Sequence, residues 1–254
     1  MRNFGVNPAI RNMQNNTANY EVTQPATYAG VTWKTGVFAL ITIASALVCR
    51  ILFLQFLAQY LMYLVMGMVV CAIAQIFMGI SISRNPDRAK TLGIVYCVLE
   101  GLTLGILVTI ADLYAQGLAL AAFLATCGVF VFALLLFRRF SARSYSSVTK
   151  FVFISLSSLV AVQLVLFLGL LITGNMNLYM TYFWIQLGIS AIMVVYATIV
   201  LLMDLKAIDS MVTNGVDKRY EWQASFALIT TLIWLYIEIL DILLRLVIIF
   251  GNRN

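Results

Sequence analysis

The sequence predicts an all-α polytopic membrane protein, a seven-transmembrane-helix bundle. Three observations carry this expectation. Of 254 residues, 63% are hydrophobic and only 10% are charged, whereas a soluble domain carries about 25% charged residues. The mean hydropathy is +0.98, which also excludes disorder, since a disordered chain is poor in apolar residues and rich in charge. Finally, the apolar residues are gathered into seven continuous runs, each near the roughly twenty residues that a helix needs to cross a bilayer. Barrel strands would alternate apolar and polar residues over about ten positions; continuous runs call for helices, which satisfy their own backbone hydrogen bonds in lipid.

A polar stretch over residues 1–32, with Asn, Gln, Thr and two prolines, precedes the first run. It lacks the early apolar core of a signal peptide and reads as a flexible, water-exposed cytoplasmic tail. Residues 33–254 read as a single transmembrane domain. Its spans fall at 33–56, 58–82, 91–111, 116–137, 150–173, 180–203 and 225–250. The first two are the hardest to separate, because residues 51–70 contain almost no polar break. The second and third are divided by a basic stretch with Arg84, Arg88 and Lys90. The third and fourth are divided by a short turn at 112–115, and the fifth and sixth by one at 174–179, neither with Lys or Arg. The fourth is followed by Arg138, Arg139, Arg143 and Lys150, and the sixth by Lys206, Lys218 and Arg219.

With Arg2, Arg11 and Lys34 near the N-terminus, thirteen of the sixteen bases fall on one side; Arg50, Arg245 and Arg253 fall on the other. The excess of Lys and Arg on cytoplasmic loops then predicts a cytoplasmic N-terminus and, after seven crossings, an external C-terminus. The formal charge of +6 therefore reports topology, not nucleic-acid binding. There is no histidine, which removes His-based triads, imidazole metal ligation and the usual pH switch. Cys49, Cys71, Cys97 and Cys127 each lie alone in an apolar run and read as small buried hydrophobes rather than zinc or iron–sulfur ligands.

The acids sort by position. Glu21, Asp87, Asp112, Asp209, Asp217 and Glu221 fall in tails or loops and read as surface acids. Glu100 falls mid-way along the third span, Asp204 at the cytoplasmic end of the sixth, and Glu238 and Asp241 near the middle of the seventh. An ionisable group at membrane depth is expensive and generally faces the bundle interior, where it marks function. At about 100° per residue, Glu238 and Asp241 project about 60° apart and Arg245 falls between them. Asp241 and Arg245 are spaced and ordered as a helical ion pair, which leaves the charge of Glu238 uncompensated. Glu100 opens the run EGLTLG, in which Gly101 and Gly105 form a small-xxx-small pair suited to close helix packing. Carboxylates held together in a low-dielectric site resist ionising together and can respond to pH near neutrality. Their oxygens also suit a hard cation such as Ca²⁺. Asp204 faces the basic loops, where Arg84 or Arg88 could latch it in a closed state.

Four stretches, LLMDLKAI at 201–208, YEWQA at 220–224, WLYIEILD at 234–241 and EGLTLG at 100–105, resemble the Bax inhibitor-1 family, also called the transmembrane Bax-inhibitor-motif family, and within it the bacterial branch. The resemblance implies a seven-helix bundle with helix seven central. It implies a proton-sensitive calcium leak, sensed by carboxylates on the sixth and seventh helices: Asp204 at the helix-six position, and Glu238 where many relatives carry aspartate. Asp241 falls where relatives often carry a neutral residue. Where some relatives have an acid on helix two, this chain has none, and Gln75 is the most polar interior candidate. Transient Ca²⁺ at Asp204 and Glu238, with H⁺ as regulator and no cofactor, is the ligand expectation. An alternative implied by bacterial relatives is that the protein binds and restrains a membrane-anchored quality-control protease, engaged through the tail of residues 1–32 in the bacterial plasma membrane. An intramembrane aspartyl protease would resemble its relatives in a GxGD motif, which is missing before Asp204. A retinal protein would need a lysine on the seventh span, and there is none.

Overall fold

The computed structural model describes residues 24–52, 61–137, 155–159, 161–165, 168–169 and 176–251, side chains within 61–65 and 176–181 excepted. Among the described residues seven helices follow one another: α1 (Tyr28–Leu52), α2 (Leu61–Arg84), α3 (Ala89–Tyr114), α4 (Leu118–Phe137), the short α5 (Ser155–Val165), α6 (Met176–Thr213) and α7 (Glu221–Gly251). Single 3₁₀ turns at Pro86–Arg88 and Lys218–Tyr220 join α2 to α3 and α6 to α7. No strand occurs among the described residues, only an isolated bridge between Pro25 and Asp217. Five helices, α1 to α4 and α6, are long and apolar enough to cross a membrane. Half of the fifth predicted span lies outside the described residues, as do Arg2, Arg11, Arg138, Arg139, Arg143, Lys150 and Arg253.

Two boundaries depart from the sequence reading. Helix α1 starts at Tyr28, inside the stretch read as tail. Thr27 is its N-cap, accepting from the Gly30 amide at 3.0 Å, and such a cap holds an otherwise orphaned donor. Helix α6 runs on to Thr213, ten residues beyond the predicted span end of 203. Hydropathy marks where a helix leaves lipid, not where it ends. The end is set by Gly215, which takes φ +64°. The Gly215 amide donates to Val212 O and the Val216 amide to Met211 O, both at 3.1 Å, the pairing of a Schellman cap.

The chain divides into two compact units, Met1–Leu113 with Asp204–Thr230, and Tyr114–Met203 with Thr231–Asn254. Helices α6 and α7 contribute to both. In the first unit α1 and α3 run parallel in close contact. A Cβ on Gly101 would stand 2.6 Å from Ser45 Cβ, and one on Gly105 2.7 Å from Cys49 Cβ. Only glycine permits this approach, so the small-xxx-small pair finds its partner in α1. Ser45 Oγ donates to Val98 O at 2.7 Å across the same seam. Phe38 packs edge-on against Trp222 and Phe226, with centroids 5.4 and 6.4 Å apart, and Tyr96 meets Phe226 at 4.9 Å. These rings join α1, α3 and the start of α7. At the far end of the α1–α3 pair, Arg50 Nη1 lies 2.5 Å from Asp112 Oδ2. In the second unit, Ala122 and Ala133 of α4, Ser190, Ala197 and Leu201 of α6, and Leu235 of α7 are fully buried. All four cysteines are free; Cys49 and Cys97 are buried, while Cys127 is exposed.

Candidate functional site

The acids at membrane depth fall into separate environments. On α3, Glu100 is half-buried and its Oε2 accepts from Gln75 Nε2 of α2. Gln75 is only 8% exposed, so the interior amide of the second helix is committed to the central acid of the third. The amide satisfies a carboxyl oxygen without neutralising it. Asp204 of α6 is also buried, at 8% exposure.

On α7, the predicted stripe is formed. Arg245 Nε lies 2.7 Å from Asp241 Oδ2 one turn away, and the same oxygen accepts from Ser190 Oγ of α6 at 2.7 Å. The guanidinium stacks over Phe183, 5.1 Å from the ring centroid. Arg245 is therefore held by a carboxylate and a ring, an arrangement suited to its planar, weakly hydrated cation. Glu238, half-buried, accepts from Trp234 Nε1 at 3.0 Å. Among the described residues no cation lies within ion-pairing distance of Glu238.

The latch expected between Asp204 and Arg84 or Arg88 is not among the ion pairs seen between described residues. Both guanidinium groups are exposed, one at the end of α2 and one in the turn after it, whereas Asp204 is buried. No group of three or more Cys, Asp or Glu side chains gathers around a common point among the described residues.

Glu221, read as a surface acid, is instead fully buried. It opens α7, and its Oε1 accepts from the Thr27 amide at 2.8 Å and from Thr27 Oγ1 at 3.3 Å. Its Oε2 lies 2.5 Å from Lys34 Nζ. In a capping box the carboxylate at the third helical position reaches back to the N-cap amide. In α1 that position is Gly30, and the missing carboxylate arrives from α7. A Cβ on Gly30 would collide with the Glu221 carboxylate. Lys34 and Lys90 also lie over the Trp222 ring, at 5.2 and 5.6 Å, and Gln223 Nε2 donates to Ile82 O at 2.8 Å and Ser83 O at 3.1 Å, satisfying terminal carbonyls of α2. The YEWQA stretch is thereby a knot that ties the starts of α1, α3 and α7 to the end of α2. The signal available in the sequence was an acid directly before a tryptophan at a helix start, thirteen residues upstream of Trp234, where the run holding Glu238 and Asp241 begins.

Residues 24–28 belong to the same end. Ala26 N donates to Val216 O at 2.7 Å, Lys218 Nζ to Gln24 Oε1 at 3.0 Å, and Tyr28 Oη to Asp209 Oδ1 at 2.6 Å. The α2–α3 turn and the α6–α7 turn thus share one end of the first unit with the start of α1.

Long apolar helices that keep acids within them define a multi-pass helical membrane protein. Residues 7–247 match the model of the family described as Bax inhibitor 1 like. Because that match spans nearly the whole chain, the protein belongs to this family. No curated protein and no solved structure matches the chain.

Proposed function

We propose that this protein is a pH-responsive cation leak, with Ca²⁺ as the ion carried, regulated without enzymatic chemistry by carboxylates on α6 and α7. One observation carries the reading. Glu238 sits on α7 with an indole N–H as its partner, while the nearby Arg245 is taken by Asp241. A lone carboxylate at membrane depth is a functional feature by default, and proton binding there removes an uncompensated charge. Asp204, buried on α6, is the second regulatory acid. In this reading the end shared by the α2–α3 and α6–α7 turns is cytoplasmic, and the membrane is a bacterial plasma membrane.

The test is Ca²⁺ flux into proteoliposomes stepped through a series of pH values. The expected result is pH-dependent flux in the wild type, with the response altered in Glu238→Gln and Asp204→Asn. Wild-type vesicles that pass no Ca²⁺ at any pH would sink the proposal.

A second reading, in which the protein restrains a membrane-anchored quality-control protease, is favoured by the anchoring of Gln24 to Lys218 of the α6–α7 turn. Deleting residues 2–22, which spares the anchor, is expected to abolish regulation of the protease and leave ion flux intact. Native-membrane pull-down that recovers no protease counts against it.

A further inference from the structure

The end of α2 and the start of α3 enclose an open groove of about 500 Å³. Phe77, Met78 and Leu92 supply its apolar wall, and Ser81, Asp87 and Arg88 its polar rim. The wall continues an apolar face of α2 on which Ile73, Ile76, Phe77 and Ile80 are 45–68% exposed. On a membrane protein such a face is covered by acyl chains. Arg88 on the rim is exposed, as are Arg84 at the end of α2 and Lys90 at the start of α3, which stand outside the groove's lining.

The charges here differ from those elsewhere. Among the described residues, Lys34, Arg50, Lys206, Arg219 and Arg245 each meet a carboxylate. Lys218 donates to Gln24, and Lys90 lies over Trp222. Arg84 and Arg88 meet neither carboxylate nor ring among the described residues, and Asp87 pairs with neither within 4.0 Å.

We infer that this groove is a binding site for an anionic phospholipid, its phosphate held by Arg88 and Arg84 and an acyl chain laid against Phe77, Met78 and Leu92. Charge complementarity selects this occupant over a neutral lipid or a peptide. Two unpartnered guanidinium groups match phosphate oxygens bidentately. Basic pockets between transmembrane helices commonly take lipid head groups at the membrane surface. Asp87 favours a head group that carries hydroxyl donors, so phosphatidylglycerol is the probe.

The experiment is native mass spectrometry of the full chain in detergent, titrated with phosphatidylglycerol or phosphatidylcholine. Phosphatidylglycerol is expected to bind preferentially. At roughly 1 kcal/mol per basic residue near the surface, Arg88→Gln should weaken binding about fivefold, and Arg84→Gln with Arg88→Gln about twenty-fivefold. Lys218→Gln, at the same end but outside the groove, should leave it unchanged. Unfolding temperatures of the variants establish that they fold, and Arg88→Gln alone is read if the double variant does not. Equal binding of the two lipids overturns the proposal, as does an equal loss in Lys218→Gln, which would signal diffuse attraction. Inorganic phosphate that displaces phosphatidylglycerol at comparable concentration also overturns it, because the apolar wall would then contribute nothing.

Discussion

Replacing Glu221 by Gln probes a buried ion pair of the first unit. The carboxylate is fully buried and Lys34 is 12% exposed, with 2.5 Å between Nζ and Oε2. Glutamine keeps the shape and one acceptor, but its amide nitrogen must face either the Thr27 amide or the Lys34 ammonium. Either choice sets donor against donor. It also leaves the lysine charged and without its counter-ion. Removing one partner of a buried ion pair destabilises by about 3–5 kcal/mol, a large part of a total stability of about 5–15 kcal/mol. At about 2–4 °C per kcal/mol for a chain of this size, unfolding should occur roughly 6–20 °C lower. The assay is thermal unfolding of detergent-purified protein followed by tryptophan fluorescence, with Trp222 beside the site. Combining Glu221→Gln with Lys34→Met removes the orphaned charge and should recover much of the loss, since a neutral replacement of a buried pair is often tolerated. Asp87→Asn, at an exposed acid, should change stability by less than about 0.5 kcal/mol. If Glu221→Gln unfolds with the wild type, or the double variant merely adds the two single losses, the reasoning is refuted.

Gly101→Val forces a side chain into Ser45 and the α1 backbone and should destabilise by about 1–3 kcal/mol or more. Gly128→Ala, which meets nothing within 4 Å, should be tolerated in the same melting assay. Arg50 is 39% exposed, so Arg50→Ala should lose only about 0.2–1 kcal/mol. A measured loss several times larger would show that the pair is far less solvated than its exposure indicates. Ser190→Ala removes the buried hydroxyl that donates to Asp241. It should lower stability by about 0.6–1.7 kcal/mol, and a double-mutant cycle with Asp241→Asn should show that most of this loss depends on Asp241.

The α7 stripe could be read before any coordinates, because Asp241 and Arg245 lie on one helix and a fixed rotation per residue brings them together. Gly101 and Gly105 likewise announced a close packing face, though not that α1 would occupy it. Glu100 stood out as an acid in an apolar run, and Gln75 as the most polar interior candidate of its helix. Their union required knowing which helices are neighbours. Whether Asp204 meets Arg84 or Arg88 depends on the same knowledge: loop proximity along the sequence says nothing about which side chains turn inward.

Composition and periodicity alone therefore determined the helical membrane class, the order of the spans and the placing of acids at depth. Those properties follow from the thickness of the bilayer and the geometry of a single helix. Tertiary structure decided what each polar group meets. Glu221 and Asp87 both look like loop acids in the sequence, yet one is buried against Thr27 and Lys34 and the other is exposed. The difference arises from residues 187 and 194 positions away, brought to Glu221 by the packing of α1 beside α7. Burial is a property of that packing, and local sequence does not contain it.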